Sequence, residues 1–172
     1  TLDKETGIYN QNYLYENYLD YLKGKQTFLL IELDITNKDL YEYDKYISYI
    51  KEFANITNQF FTSGDLFRLT YNEFLLILPF NDIRTINKTL QDYINYLASY
   101  NPESINNELY KVYCASLRYP VVSDSKNITK LIRYLQIAKV IAKKKVIARY
   151  HDFSFNDYET DLFEQNVINY IN

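Results

Sequence analysis

Apolar residues recur along this chain with two spacings, and each spacing predicts one kind of element. Helical segments, with apolar side chains three or four positions apart, are residues 10–23, 41–61, 83–98, 127–143 and 157–172. Shorter and more continuous apolar runs, which predict strands, are residues 27–34, 66–69, 73–78, 110–119 and 146–150. This order of elements predicts an α/β fold, an α+β sandwich whose mixed sheet of about five strands is covered by helices.

Residue types at the ends of these segments support the assignment. Gly24 is expected to end the first helix and Asn127 to cap the fourth. Asn156 and Glu159 have the spacing of a capping box at the start of the last helix. The aromatic stripe along residues 41–61 is expected to lie in the core, and residues 101–107 are expected to form a polar loop.

Composition excludes several classes of function. The formal net charge is −3, with 19 basic and 22 acidic residues, which argues against a nucleic-acid partner. The single Cys114, expected to be a buried thiol, excludes an internal disulfide, and the single His151 excludes a two-histidine zinc site. No apolar run approaches the ~18 residues of a membrane helix, so no membrane contact is expected from this segment. Together these features favour a cytoplasmic setting, even where the parent protein is membrane-anchored.

Three acidic residues are candidates for a metal site. Glu32 and Asp34 lie two positions apart on a predicted strand, so their side chains share one face, and Glu73 can approach them from the hairpin. Carboxylates in this arrangement suit a divalent ion such as Mg²⁺. The alternative is that all three are solvated acids at a strand end.

The hairpin turn itself poses a question. Thr70, Tyr71 and Asn72 stand between two strands, where a tight turn would favour glycine because glycine tolerates positive φ. Either the turn is longer and ordinary, or a glycine pair has been replaced. With only three glycines in the chain, a glycine-rich phosphate cradle is excluded.

Four short motifs, in order, resemble the GGDEF domain of bacterial diguanylate cyclases over nearly the whole chain. The family patterns are D-x-L-T-G-x-x-N, D-x-D-x-F-K, R-x-G-G-D-E-F and A-x-x-x-A-K. The matching segments here are Asp3–Asn10, Glu32–Asn37, Arg68–Phe74 and Ala138–Lys143. The resemblance implies a nucleotidyl cyclase or palm-like fold. It also implies a chemistry in which two domains, each holding one GTP and metal ions, face each other and make cyclic di-GMP.

The departures from the family patterns fall on positions that the family uses to bind nucleotide and metal. Thr70 and Tyr71 replace the two glycines, Asn72 replaces a metal-binding acid, and Glu32 is a longer acid than the family's aspartate. The remaining replacements are Asn37 at the phosphate lysine, Ile47 near the guanine-reading aspartate, and Phe61 and Thr62 at the inhibitory R-x-x-D motif. The family's Gly-Arg-Asn turn after A-K is missing, because a strand is predicted to begin at Val146. Lys143 matches the family's lysine and is either a vestige of a phosphate contact or a surface lysine.

The resemblance and the departures together predict a non-catalytic regulatory or dimerisation domain in cyclic di-GMP signalling. No cofactor is expected, and Thr70, Tyr71, Asn72, Glu73 and Phe74 form a vestigial signature. The expected partners are adjoining domains, such as an EAL-type phosphodiesterase or a sensor, and a second copy in a homodimer. The alternative is residual GTP binding or weak nucleotide processing, with a residual Mg²⁺ site at Glu32, Asp34 and Glu73. A more remote alternative is an unrelated palm-type transferase.

Two parts of the chain are expected, residues 1–153 as the GGDEF-like domain and residues 154–172 as a connector helix to a second domain or subunit. The two ends of the chain are typical of a segment cut from a longer protein. The alternative is a helix that folds back on its own sheet. The apolar face of the connector is formed by Phe155, Tyr158, Leu162, Phe163, Val167, Tyr170 and Ile171.

Overall fold

A five-stranded mixed sheet forms the centre of the computed structural model, which describes residues 1–36, 41–99, 110–121 and 126–171, without the side chains of residues 170 and 171. The strands are β1 (Gln26–Ile35), β2 (Asp65–Arg68), β3 (Glu73–Leu78), β4 (Tyr110–Tyr119) and β5 (Tyr150–Asp152). Their order is β2-β3-β1-β4-β5, and only the β4–β5 pair is parallel. The predicted mixed sheet of about five strands is confirmed.

Helices cover both faces of this sheet. They are α1 (Gln11–Asn17), α2 (Tyr43–Phe60), α3 (Ile83–Ser99), α4 (Ile128–Lys143) and α5 (Phe155–Ile171). Successive side chains of β1 point to opposite faces, as the pleat requires. Leu29, Ile31 and Leu33 pack with α2 and α3, whereas Phe28 and Leu30 pack with α4. The continuous apolar run of β1 is therefore explained by burial on both faces.

Several helix assignments are confirmed in detail. Ile50, Phe53 and Ala54 of α2 are buried, so the stripe along this helix lies in the core. The Asn127 side chain accepts hydrogen bonds from the backbone of Thr129 and Lys130 and caps α4. The polar loop predicted at residues 101–107 lies outside the described residues.

The strand predicted at residues 146–150 is wrong. The chain turns through residues 144–149, and β5 begins only at Tyr150. Val146 and Ile147, which favour strands by residue type, are 88% and 84% exposed, and Ala148 has a φ of 53°. The chain needs this turn to come back from α4 and run parallel to β4, and this requirement outweighs local strand propensity.

Two helix boundaries also differ from the prediction. The first segment is a short α1 followed by a 3₁₀ helix (Tyr18–Tyr21), so it ends before Gly24. The last helix begins at Phe155, and its cap is Ser154, not Asn156 with Glu159. The Asp157 carboxylate accepts a hydrogen bond of 2.9 Å from the Ser154 amide, which is one half of a capping box shifted by two residues.

The first turns of α5 lie against α4, and the rest of its outer face is exposed. Tyr158 contacts Tyr134, with ring centroids 5.1 Å apart, and Asp161 pairs with Arg133 at 3.0 Å. Phe163 and Ile168 are 68% and 56% exposed. The predicted apolar face therefore divides into a docked part and an exposed part, and its Tyr170 and Ile171 side chains lie outside the described residues. In the described part of the chain, no helix combines the length and apolar character that crossing a bilayer requires.

Candidate functional site

The turn between β2 and β3, residues 69–72, is longer than a two-residue hairpin. The Leu69 amide donates to the Glu73 carbonyl at 2.8 Å, which closes a four-residue connection. Among the described residues other than glycine, only Ala148 has a positive φ, so Thr70 and Tyr71 need no glycine-like backbone. The turn is therefore longer than a two-residue hairpin, and its backbone suits the residues present at positions 70 and 71.

Arg68 stabilises this turn through hydrogen bonds to its backbone. Its guanidinium donates to the carbonyl of Thr70 at 3.2 Å and to the carbonyl of Tyr71 at 3.0 Å. The same group pairs with Asp3 at 3.1 Å and with Glu5 at 2.7 Å, although the Arg68 side chain is only 8% exposed. Arg68 therefore ties the N-terminal segment to the turn through charge-assisted hydrogen bonds.

The N-terminal segment is a closed turn built for this contact. The Asp3 carboxylate accepts hydrogen bonds from the amide and hydroxyl of Thr6, and Gly7 has a φ of 77°, which glycine adopts without strain. Burial opposes ionisation of Asp3, but the hydrogen bonds from Thr6 and the charge of Arg68 outweigh it and lower its pKa. Asn10 caps α1 through the Tyr13 amide. The surviving motif residues in this segment thus have structural roles.

Glu32 and Glu73 are directly opposite each other on neighbouring strands, and this acid pair is the chemical centre of the region. Both residues are buried, at 8% and 7% exposure. Lys139 of α4 reaches between them, with Nζ 3.0 Å from Glu32 Oε1 and 2.5 Å from Glu73 Oε2. Lys139 is itself only 8% exposed, so this is a buried ionic cluster.

The remaining carboxylate oxygens also have partners. Lys143 Nζ lies 2.7 Å from Glu32 Oε2, an ion pair without hydrogen-bond geometry. The Thr70 hydroxyl donates to Glu73 Oε1 at 3.1 Å, and the Gln136 amide donates to Glu73 Oε2 at 2.9 Å. Two carboxylates thus face two ammonium groups, and each of their four oxygens has a protein group within hydrogen-bond or ion-pair distance.

The electrostatics of Glu32 follow from these contacts. Burial disfavours its charged form, but Lys143 and Lys139 outweigh this effect and hold the pKa of Glu32 below its ordinary value. The pKa of Lys143 is raised: burial opposes its charged form, and Glu32 more than compensates. Lys143 is therefore an ion-pair partner of the acid pair, a role that neither sequence interpretation of this residue included.

Asn72 is turned toward the backbone of β1. Its side-chain amide donates to the Leu33 carbonyl at 3.0 Å, and its own carbonyl accepts from the Leu33 amide at 2.9 Å. A carboxylate at position 72 has no hydrogen to donate and would place two oxygens against each other. With asparagine at position 72, no cation is needed between this side chain and the Leu33 carbonyl.

The residues present do not fit a divalent metal ion. Mg²⁺ requires several free oxygen ligands in an open octahedral arrangement, and the acid pair is already filled by an ammonium group. Asp34, two positions along β1, is exposed. In the described ranges, no three His, Cys, Asp or Glu side chains are placed to hold a metal ion together.

Other predicted site residues lie apart from the acid pair. Tyr71 is 54% exposed at the tip of the turn, with its ring 6.4 Å from that of Tyr46 on α2. Phe61 is buried in the core, and Phe74 packs against Phe53 there. Ile47 lies on α2, and Asn37 is outside the described residues. A turn does separate α4 from β5, so the prediction that none exists is wrong, although Val146, Ile147 and Ala148 replace the family's residue types.

The surroundings of Cys114 and His151 indicate a structural role for each residue. Cys114 is fully buried in β4, and burial raises its pKa to about 12, as expected for an unreactive thiol. His151 Nε2 lies 2.9 Å from Asp157 Oδ2, and its Nδ1 lies 3.2 Å from Lys145 Nζ. His151 therefore links β5 to the start of α5.

Sequence reasoning missed Lys139 and Gln136. Lys139 continues the row formed by Leu131 and Leu135 at intervals of four, so it lies on a helix face that is otherwise apolar. A lysine in such a row requires a buried acid as a partner. Glu32 on the central strand was the available candidate.

Known structures show the same fold. The sequence matches no protein-family model and no curated protein sequence. A form of TpbB from Pseudomonas aeruginosa comprising only its GGDEF domain has a TM-score of 0.73 and 16% identity, over 93% of this chain and 98% of that one. The S helix–GGDEF–EAL segment of LapD from Vibrio cholerae, bound to c-di-GMP, has a TM-score of 0.71 and 18% identity, over 98% of this chain and 42% of that one.

An active enzyme domain is also similar. The active GGEEF domain of a diguanylate cyclase from Vibrio cholerae has a TM-score of 0.66 and 16% identity, over 86% of this chain and 98% of that one. At identities below 25% these likenesses show the fold alone. The predicted GGDEF-type fold is confirmed.

Proposed function

We propose that this chain is a non-catalytic GGDEF-fold domain that serves cyclic di-GMP signalling through contacts with adjoining domains. The observation that carries the proposal is the acid pair, whose four carboxylate oxygens are all engaged by Lys139, Lys143, Thr70 and Gln136. Cyclic di-GMP synthesis joins a ribose 3′-hydroxyl to an α-phosphate and depends on metal ions that neutralise developing charge. In this chain the acids that would hold such ions neutralise lysines instead.

The signature turn supports the same conclusion. Asn72 donates its side-chain hydrogen to the Leu33 carbonyl, so it cannot serve as an anionic ligand. Thr70 and Tyr71 place side chains where the family pattern has two glycines. Losing even one group that stabilises transition-state charge typically lowers a rate by about 10²–10³. Several such losses together are incompatible with efficient turnover.

A regulatory role is supported by the exposed apolar surface of α5 and by the LapD structure that shares this fold. The exposed apolar side chains of α5, such as Phe163 and Ile168, offer a surface to an adjoining domain. The LapD segment with this fold also contains an EAL part, and its structure is bound to c-di-GMP. By analogy, we assign this chain a place in a longer protein beside an EAL-type phosphodiesterase or a sensor domain.

The test is an assay of cyclic di-GMP formation from GTP with Mg²⁺ or Mn²⁺. We expect no product above the no-enzyme background from the wild-type chain or from Asn72→Asp, because the substitution restores an acid but leaves Lys139 in place. An active GGDEF domain measured in parallel provides the positive control. Clear product formation by the wild-type chain would refute the proposal.

A further inference from the structure

The acid pair joins three elements of the fold at one buried point. Glu32 of β1 and Glu73 of β3 are cross-strand partners, and Lys139 of α4 bonds to both. Two like charges directly opposite each other on neighbouring strands repel, and burial makes the repulsion stronger. Both acids can therefore stay ionised at this buried point only with a cation between them.

The chain itself supplies this cation with suitable geometry. Lys139 Nζ lies within 3.0 Å of one oxygen from each acid, and Lys143 Nζ lies 2.7 Å from the outer oxygen of Glu32. The two ammonium groups balance the two carboxylates. A divalent ion would meet Lys139 at this position and would be repelled by it.

We propose that the Lys139 ammonium is a tethered replacement for a metal ion at the Glu32–Glu73 pair, so that the chain packs β1, β3 and α4 together without a divalent cation and excludes one. The inference rests on the proposed function, because it explains why the metal-binding acids have lost their ligand role. Its test measures unfolding and cation binding, not GTP turnover, so either proposal can fail alone.

The central variant is Lys139→Met, which keeps the length of the side chain and removes the charge. Removing one partner of a buried ion pair leaves the other charge buried without compensation. We therefore expect the melting temperature in EDTA to fall by about 10 °C. Mn²⁺ at millimolar concentration should raise the melting temperature of this variant by several degrees. The electron paramagnetic resonance signal of free Mn²⁺ should decrease when the variant is added. The wild-type chain should show neither effect.

Two control variants make the result specific. Lys144→Met removes one exposed charge next to the cluster and should behave like the wild-type chain. The combination of Glu32→Gln, Glu73→Gln and Lys139→Met removes all three charges, so it should be more stable in EDTA than Lys139→Met alone and should not respond to Mn²⁺. This combination keeps the test valid if Lys139→Met unfolds in EDTA.

Three results would overturn the inference. The first is a Lys139→Met melting temperature within about 2 °C of wild type in EDTA, which is less than one lost interaction would give. The second is a Lys139→Met variant that Mn²⁺ neither binds nor stabilises. The third is saturable Mn²⁺ binding by the wild-type chain that Glu32→Gln abolishes.

Discussion

At the scale of single residues, the turn after α4 contains a backbone conformation that its sequence does not suit. Ala148 has a φ of 53°, in the left-handed region where a Cβ atom crowds the following carbonyl at a cost of about 1–2 kcal/mol. Asparagine tolerates this region better, and a β-branched residue tolerates it worse. The strain lies outside the acid pair, so it can be tested by itself.

We expect Ala148→Asn to raise the melting temperature by about 2–4 °C and Ala148→Val to lower it, since a change of 1 kcal/mol shifts a domain of this size by roughly that amount. Thermal unfolding by circular dichroism measures both. The two variants serve as each other's control, because they change the same exposed position. Equal melting temperatures for the two would show that the left-handed conformation is absent in solution.

Sequence reasoning at this scale identified residues more reliably than their contacts. Glu73 was expected to approach Glu32 and Asp34 from the hairpin; it does lie opposite Glu32, whereas Asp34 is exposed. Lys139 was missed because periodicity treats a lysine on an apolar stripe as a helix-edge residue, and its partner lies 107 positions earlier in the chain. Asn72 was identified as a lost acid, but its bond to the Leu33 carbonyl depends on strand register, which no local pattern specifies.

At the scale of elements, residue type predicted a helix end correctly where the capping residue directly precedes the helix. Asn127 caps α4 as its residue type predicts. The strand predicted at 146–150 failed because Val146 and Ile147 have strand propensity, but the turn between α4 and β5 places them in solvent. The cap of α5 was displaced because Ser154 with Asp157 competes with Asn156 and Glu159 for the same role.

The first turns of α5 pack against α4, and the remainder of the helix is exposed on its outer face. Tyr158 packs edge-on against Tyr134, which stacks on Phe153 with centroids 4.7 Å apart. Phe163, five residues further along the same helix, is 68% exposed. The two aromatic residues therefore form a matched pair for measuring how much of α5 belongs to the core.

We expect Tyr158→Ala to lower the melting temperature by several degrees, because it removes a packed ring from the α4 face. Phe163→Ala should change stability by no more than about 0.5 kcal/mol, as is usual for an exposed position. Thermal unfolding at two protein concentrations separates core packing from self-association. An equal loss for both variants, independent of concentration, would mean that the whole helix belongs to the core and that the connector interpretation fails.

At the scale of the whole molecule, the two patterns of apolar spacing were sufficient for the fold class, a mixed sheet covered by helices, whereas the GGDEF-type fold followed from the motif resemblance. They were insufficient for the electrostatics that hold the arrangement together. Arg68 binds the N-terminal segment to the turn, and Lys139 binds α4 to the sheet, so ion pairs link parts of the chain that are 63 or more positions apart. Stability should therefore respond to protonation of their partners.

The direction of this response follows from the pKa shifts. The pKa of Asp3 and of Glu32 is lower in the folded chain than the ordinary values of 3.8 and 4.5, because lysine, arginine and hydroxyl partners outweigh burial. The unfolded chain therefore binds more protons in the interval just below these ordinary values. Stability that these carboxylates contribute is present above pH 4.5 and is lost as the pH falls through their folded-state pKa values.

We expect the free energy of unfolding, measured by urea denaturation, to be nearly constant from pH 7 to about pH 5 and to fall steeply below pH 4.5. Glu32→Gln should be less stable at pH 7, because it leaves Lys139 and Lys143 with less compensation, and its stability should fall less steeply below pH 4.5. Glu159→Gln, which changes an exposed acid on α5, controls for the loss of one negative charge and should retain the wild-type slope. The free energy of unfolding of Glu32→Gln could instead fall with pH as steeply as that of the wild-type chain. In that case groups other than Glu32 titrate in this range, and the buried ionic cluster is not the source of the acid sensitivity.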